Sequence, residues 1–183
     1  MATRGQSLAH PVTGERLTFV DTRADTDGAL LRFDFWMRPG GFVAAEHYHP
    51  SQEERFTIHA GRAGFRLAGE QRDAHAGDTV VAPPGTRHVW WNAGEDEIHA
   101  TVEFRPALRV EEFFEVFFGL GAAGKTNRRG LPGPLWLAAL GREFSDELRP
   151  AAVPWPLARV VLAAAGPVLR ALGYRATPEA VRG

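Results

Sequence analysis

The sequence predicts a mainly β fold followed by a helical segment. Residues 1–108 contain short runs in which polar and apolar side chains alternate, separated by turns rich in glycine and proline. After Pro106 the apolar residues recur at helical spacing instead. Many short strands joined by such turns are typical of a sandwich or a barrel. At 183 residues, 44% of them hydrophobic, the chain is long enough to form one core without disulfide bonds.

The predicted strands follow one another at short intervals. A turn at residues 25–28 separates a strand at residues 17–21 from a longer one at residues 29–37, which indicates a hairpin. Gly61 and Gly69 bracket a strand at residues 63–68. A strand at residues 79–82 ends at the turn Pro83-Pro84-Gly85. Residues 98–104 alternate apolar and polar side chains, as in a half-buried strand.

The helical extension, residues 109–183, predicts three helices. Residues 111–118 place four phenylalanines on one helical face. Pro134 opens a second helix, and a third runs from about residue 157 to 172, where Gly166-Pro167 is expected to kink or split it. We expect this extension to pack on the β domain or at a subunit interface. A helix lying on a membrane surface and a lid over the site are the alternatives.

Composition narrows the class of protein. A formal charge of −1 argues against nucleic-acid binding, which needs a basic surface. The chain has no cysteine, which excludes disulfides and thiolate nucleophiles. The first 17 residues lack the apolar run of a secretory signal, and the uncharged run at residues 160–169 is too short to span a bilayer. We therefore expect a cytoplasmic protein without a transmembrane segment.

Three of the seven histidines are spaced as metal ligands. His47 and His49 are two residues apart, so in a strand their imidazoles point to the same face. His88 begins a new strand after the Pro-Pro-Gly turn and can approach them from another direction. The remaining histidines lack a ligand partner at useful spacing, and we expect them to be surface or packing residues: His10, His59, His75 and His99.

A carboxylate completes the set. Glu53 and Glu54 are both candidates, and strand parity distinguishes them. Glu54 shares its face with Phe56 and Ile58, so we predict that it points inward and that Glu53 points to solvent. Three imidazoles and one carboxylate form the ligand set of a divalent transition-metal site with open coordination positions.

The spacing of these residues resembles the two sequence motifs of the cupin superfamily. The first motif is Gly, five residues, His-x-His, three or four residues, Glu, six residues and Gly, and its fixed positions are matched by Gly41, His47, His49, Glu54 and Gly61. The second is Gly, five residues, Pro-x-Gly, two residues, His, three residues and Asn, matched by Gly77, Pro83, Gly85, His88 and Asn92. The resemblance covers about residues 28–108.

This resemblance implies a fold, a cofactor and an assembly. The fold is a cupin-type double-stranded β-helix, or jelly-roll barrel, over residues 1–108, in a single-barrel cupin with C-terminal α-helices over residues 109–183. The cofactor is one divalent transition metal per subunit, and the ligand set does not choose among Fe, Mn, Ni, Cu, Co and Zn. A homodimer is the assembly that the resemblance implies. The implied metal ligands are His47, His49, Glu54 and His88.

The metal site predicts action on a small molecule. The first hypothesis is a dioxygenase-like enzyme that acts on an aromatic or enolisable substrate. The alternatives are a metal-dependent isomerase, cyclase or lyase, and a cupin that binds a small molecule without catalysis. We favour an enzyme because no fused DNA-binding or receiver module is evident. Glu54 is the candidate catalytic proton acceptor, and the candidate pocket residues are Phe56, Ile58 and Trp90.

Overall fold

The computed structural model describes residues 2–181. In chain order the strands are Ser7–Ala9 (β1), Glu15–Asp21 (β2), Leu31–Met37 (β3), His47–Tyr48 (β4), Glu53–Ala60 (β5), Arg62–Leu67 (β6), Glu70–His75 (β7), Thr79–Ala82 (β8), His88–Asn92 (β9), Ile98–Arg105 (β10) and Arg149–Pro150 (β11). The helices are Val110–Ala122 (α1), Pro134–Glu143 (α2), Trp155–Ala171 (α3) and Pro178–Val181 (α4).

The strands form two antiparallel sheets. One sheet has the order β1-β2-β3-β10-β5-β8, and the other has the order β11-β4-β9-β6-β7. From β4 onward the chain passes repeatedly between the sheets, since β4, β6 and β9 lie in one while β5, β8 and β10 lie in the other. This alternation is the arrangement of a double-stranded β-helix. The predicted mainly β barrel with C-terminal helices is therefore confirmed.

Aromatic side chains fill the space between the sheets. Alternate residues of β3, β5 and β10 are buried, as period-2 patterning requires. The ring of Phe65 lies 5.6 Å from that of Trp90 and nearly parallel to it, and Trp90 also contacts Phe35 and Phe56. These rings join the two sheets, because Phe65 and Trp90 belong to one and Phe35 and Phe56 to the other.

Two fixed positions of the motifs have a structural reason in this chain. Gly61, between β5 and β6, has a φ of 79°, and a Cβ there would lie 2.9 Å from the carbonyl oxygen of Glu97. Asn92, at the end of β9, donates through Nδ2 to the carbonyl oxygens of Met37 and Asp96 and accepts from the amide of Gly94. Gly61 therefore allows a tight crossing, and Asn92 holds the turn that follows β9.

The C-terminal extension contributes a strand as well as helices. Its segment β11 pairs with β4, with Pro150 opposite His47 and Arg149 opposite Tyr48. The amide of Ala151 donates to the carbonyl oxygen of Glu46 at 2.9 Å. The extension therefore completes one edge of the barrel beside a predicted metal ligand.

The three predicted helices are present as α1, α2 and α3, and the short helix α4 was not predicted. Helix α3 continues through Gly166 and Pro167, so of the predicted kink or split the split does not occur. Proline leaves the carbonyl four residues earlier without its amide partner, and Ala163 is exposed, so water can satisfy that carbonyl. Several aliphatic side chains of α3 are exposed, although no helix in residues 2–181 is long and apolar enough to cross a membrane.

The aromatic contact between the sheets provides a test of the core. Phe65→Ala should lower the free energy of unfolding by about 3–5 kcal/mol, because it removes a fully buried ring and leaves a cavity beside Trp90. Urea unfolding followed by tryptophan fluorescence measures the loss. Leu67→Ala is the control, since Leu67 lies on the same strand but is only half-buried. Equal losses in the two variants would contradict this account of the core.

Candidate metal centre

Four side chains from three neighbouring parts of the barrel converge on one point. His47 lies on β4, His49 directly follows that strand, Glu54 lies on β5 and His88 begins β9. Each offers one ligand atom, these atoms all lie within 4.8 Å of one another, and all four residues are buried. His47 and His88 face each other directly in the β4–β9 pair. The antiparallel pairing therefore brings the two sequence motifs together.

Backbone carbonyls fix the orientation of all three imidazoles. His47 Nδ1 lies 3.0 Å from the oxygen of Ala45, and His88 Nδ1 lies 2.9 Å from that of Thr86. His49 Nδ1 lies 2.5 Å from the oxygen of Glu147. A carbonyl accepts only, so in each contact Nδ1 carries the proton and donates. In the neutral tautomer Nε2 is then the free ligand atom.

The carboxylate of Glu54 lies among these Nε2 atoms. Its Oε2 is 3.0 Å from Nε2 of His49 and 2.7 Å from Nε2 of His88. Burial alone would raise the pKa of Glu54, but the charges and hydrogen bonds of the two histidines outweigh burial and lower the pKa. Glu54 is therefore held as an anion.

The pKa values of His47 and His88 are shifted in opposite directions. Burial, together with the charges of His88 and His49, lowers the pKa of His47 to about 3, so this imidazole is neutral at physiological pH. Burial also opposes the charged form of His88, but the adjacent Glu54 carboxylate outweighs it and raises the pKa of His88. An anionic carboxylate and neutral imidazoles are the forms in which these groups bind a metal, and an incoming cation would displace any proton on His88.

The donor set of this cluster fits one class of ion. Three imidazole nitrogens and one carboxylate oxygen suit a divalent transition metal. Calcium and magnesium prefer sites made of oxygen ligands. The cluster can therefore hold a transition-metal ion, and its composition does not identify which one.

The cluster opens onto a large apolar cavity of about 560 Å³. His47, His49 and Glu54 belong to its wall, and most of the remaining wall is aromatic or aliphatic. Residues of α2 and α3, including Leu140 and Leu162, form the side opposite the barrel. The helical extension therefore encloses the space in front of the candidate metal centre.

The predicted pocket residues differ in their positions. Phe56 and Trp90 line the cavity. Ile58 is fully buried in the barrel core and is not among the cavity-lining residues. The parity argument placed all three residues inward, but it could not distinguish the cavity wall from the packed core. Contact of Phe56 or Trp90 with a substrate stays a prediction.

Sequence reasoning missed Glu147, which belongs to the segment between α2 and β11. Its carbonyl orients His49, and the residue lines the cavity although it is only 5% exposed. Oε1 accepts from the amide of Arg109, whereas Oε2 has no hydrogen-bond partner within residues 2–181. Burial raises the pKa of Glu147. No sequence signal links this polar segment to the distant histidines.

A second residue that the sequence analysis missed, Glu15, lines the same cavity. It lies at the start of β2, is 6% exposed and accepts a hydrogen bond from the Thr13 hydroxyl at 2.5 Å. Burial raises the pKa of Glu15 to about 7, although the bond from Thr13 lowers it. Strand parity could have found this residue, because Glu15 alternates with Arg16 and shares its face with Leu17 and Phe19.

The raised pKa of Glu15 predicts a specific pH dependence of stability. The folded protein holds this proton more tightly than the unfolded chain, so the stabilisation is full below about pH 4.5 and is lost as pH rises towards 7. Between pH 5 and 8 the free energy of unfolding of the wild type should therefore fall relative to Glu15→Gln, by roughly 2–3 kcal/mol. Urea unfolding at both pH values measures this difference. Glu95→Gln, at an exposed site, should show no such trend; an equal trend there would contradict the assignment.

Comparison with known proteins agrees with this geometry. Residues 34–103 match the family model described as a cupin domain. A protein named "Polyketide synthase CurC" from Streptomyces cyaneus is 34% identical over 70 residues, which are 38% of this chain and 45% of that protein. The match therefore spans less than half the length of that curated relative.

Solved structures with a similar fold have low sequence identity. A predicted oxalate decarboxylase from Thermotoga maritima is 20% identical, with a TM-score of 0.49 over 58% of this chain and 99% of that one. KdgF from a Halomonas species is 22% identical, with a TM-score of 0.45 over 51% of this chain and 81% of that one.

The family match covers the strands that carry all four clustered side chains. With both motifs complete and the two-sheet barrel around them, residues 34–103 of this chain form a cupin domain.

Proposed function

We propose that this protein is a metal-dependent oxygenase that acts on an aromatic or enolisable organic molecule. The observation that carries the proposal is the placement of the three-histidine, one-carboxylate cluster in the wall of a large, mostly apolar cavity. An apolar, aromatic wall favours an aromatic or extended carbonyl compound over a sugar or an amino acid. The polyketide synthase relative supports the same class, because polyketides contain enolisable ketones and phenols.

In this proposal each residue has a defined task. His47, His49, Glu54 and His88 hold the ion, which when bound supplies Lewis acidity and, if it is redox-active, a site for dioxygen chemistry. Backbone carbonyls keep the three imidazoles in the ligand tautomer. The hydrophobic wall excludes water from the reacting groups, and Phe56 and Trp90 contribute aromatic rings to it.

Proton transfer is assigned to Glu54. Both histidine contacts fall on its Oε2, which leaves Oε1 outside them. We propose that Glu54 accepts the proton of an enolisable carbon or a phenol held in the cavity. Its low pKa weakens it as a base in isolation, so this role depends on how strongly the ion and the histidines hold the carboxylate.

Metal binding is the first property to test. Purified wild-type protein should contain about one equivalent of a transition metal, whereas His88→Ala should lose it on dialysis, because the remaining donors no longer surround the ion. Elemental mass spectrometry of the dialysed proteins measures the content. His75→Ala is the matched control, since His75 is an exposed histidine on β7. Equal metal content in all three proteins would place the ion elsewhere.

Oxygen dependence then tests the reaction. Iron- or manganese-loaded protein supplied with a polyhydroxylated naphthalene or a 1,3-diketone should consume dioxygen in proportion to product. Zinc-loaded protein and anaerobic samples should be inactive. Metal-free His88→Ala serves as the negative control. Product formed at the same rate without dioxygen would reject the oxygenase.

The same cavity also supports a second candidate, an isomerase, cyclase or lyase. A water-excluding wall favours ring closure of an extended carbonyl chain over its hydrolysis, and polarisation of a carbonyl needs no redox-active ion. This enzyme would work anaerobically and with zinc.

A ligand that raises the melting temperature without turnover would instead indicate a binding protein. The homodimer implied by the cupin resemblance stays a prediction.

A further inference from the structure

We propose that Glu15 is a specificity-determining residue that binds a polar group at the far end of an elongated, apolar, polycyclic ligand. One end of this ligand lies at the metal centre, so the inference rests on the proposed function. Both the metal cluster and Glu15 belong to the wall of one cavity, although neither motif contains Glu15. The cavity then selects for ligand length as well as for aromatic character.

Strand register places the two ends of the cavity far apart. Glu54 pairs with Phe104, which pairs with Leu31. Glu15 pairs with Met37, which pairs with Ile98. From Ile98 to Phe104 there are six residue steps along β10, which correspond to about 20 Å at roughly 3.4 Å per residue. A single-ring compound therefore cannot contact both the metal centre and Glu15.

The wall between these two ends is suited to flat apolar rings. Phe33 and Phe35 on β3 and Phe114 and Phe117 on α1 all line the cavity. Rings on a ligand can stack against such side chains. A carboxyl group in these surroundings is costly to bury unless it has hydrogen-bond partners. A donor on the ligand would therefore gain from meeting Glu15.

Glu15 is also held ready for such a contact. The Thr13 hydroxyl donates to its Oε2, which fixes the carboxyl group at the start of β2. Because burial raises the pKa of Glu15 to about 7, both protonation states are populated near neutral pH. The group can then accept from a phenolic hydroxyl or donate to a ketone. Phenols and ketones are the polar groups expected on a polycyclic substrate.

The alternative is that Glu15 only stabilises the adjacent turn. Thr13 and His10 belong to this turn, and the amide of Thr13 donates to Nδ1 of His10. In that case substitution of Glu15 would weaken binding of all ligands equally by disturbing the wall. The ratio of the affinities for two matched ligands distinguishes this structural role of Glu15 from direct recognition of the ligand.

The experiment compares two probes that differ in one distal hydroxyl. Both probes are linear four-ring naphthacenequinones: a dihydroxy compound with a keto-phenol edge for a metal at one end, and a trihydroxy compound that carries the same edge and one further hydroxyl on the terminal ring at the opposite end. Binding to metal-loaded protein is titrated by quenching of tryptophan fluorescence, since Trp90 lines the cavity. Wild type should bind the trihydroxy compound roughly tenfold more tightly, as one hydrogen bond to a charged group allows.

Three variants test whether Glu15 makes this contact with the ligand. Glu15→Leu should remove this preference while leaving the affinity for the dihydroxy compound within about twofold. Glu15→Gln, which preserves shape and one acceptor, should retain part of the preference and covers the case in which Glu15→Leu does not fold. Glu95→Gln should behave as wild type. An unchanged preference in both Glu15 variants, an equal loss for both probes, or binding of neither probe by wild type would overturn the proposal.

The result expected if the proposed function is wrong differs from the result expected if the role of Glu15 is wrong. In metal-free His88→Ala both probes should bind more weakly by the same factor, and the preference for the distal hydroxyl should remain, because Glu15 is intact. A preference that is present in wild type and lost only with Glu15 supports the inference even if no oxygen is consumed. Oxygen uptake without any hydroxyl preference supports the enzyme and rejects this role of Glu15.

Discussion

The site depends on the hydrogen bonds that hold its imidazoles by their Nδ1 atoms. Strand pairing brings His47 opposite His88, but pairing alone does not decide which nitrogen faces the centre. The carbonyls of Ala45, Thr86 and Glu147 decide it by accepting from Nδ1. Backbone oxygens are fixed by the fold itself, so the ligand geometry is set before an ion arrives. This lowers the reorganisation that metal binding requires.

One of these three carbonyls comes from outside the family motifs, which ties the helical extension to the centre. Glu147 lies between α2 and β11, and β11 pairs with the strand that carries His47. Glu147 is buried and lines the cavity, and residues of α2 and α3 form the wall opposite the barrel. The extension is therefore a part of the candidate site, and changes in it are expected to affect both the orientation of His49 and access to the cavity.

What could be predicted from the sequence depends on how far apart the interacting residues lie along the chain. The barrel, the four clustered residues and the inward face of β5 were predictable, because period-2 alternation and fixed spacings are local signals. The contact between Glu147 and His49 was not, since 98 residues separate them and only the folded chain brings them together. Glu15 is an intermediate case. Strand alternation places it on the inward face of β2, but a charged residue at the start of a strand is usually exposed.

The burial of two further carboxyl groups, those of Glu15 and Glu147, is unfavourable for the stability of the fold. Burial raises the pKa of both Glu15 and Glu147, so the folded state opposes their charged forms. Apolar residues of similar size would pack in the same wall without that cost. Natural proteins tolerate such local conflicts mainly at functional sites. Both residues line the cavity beside the four clustered side chains, so this local conflict coincides with the candidate site.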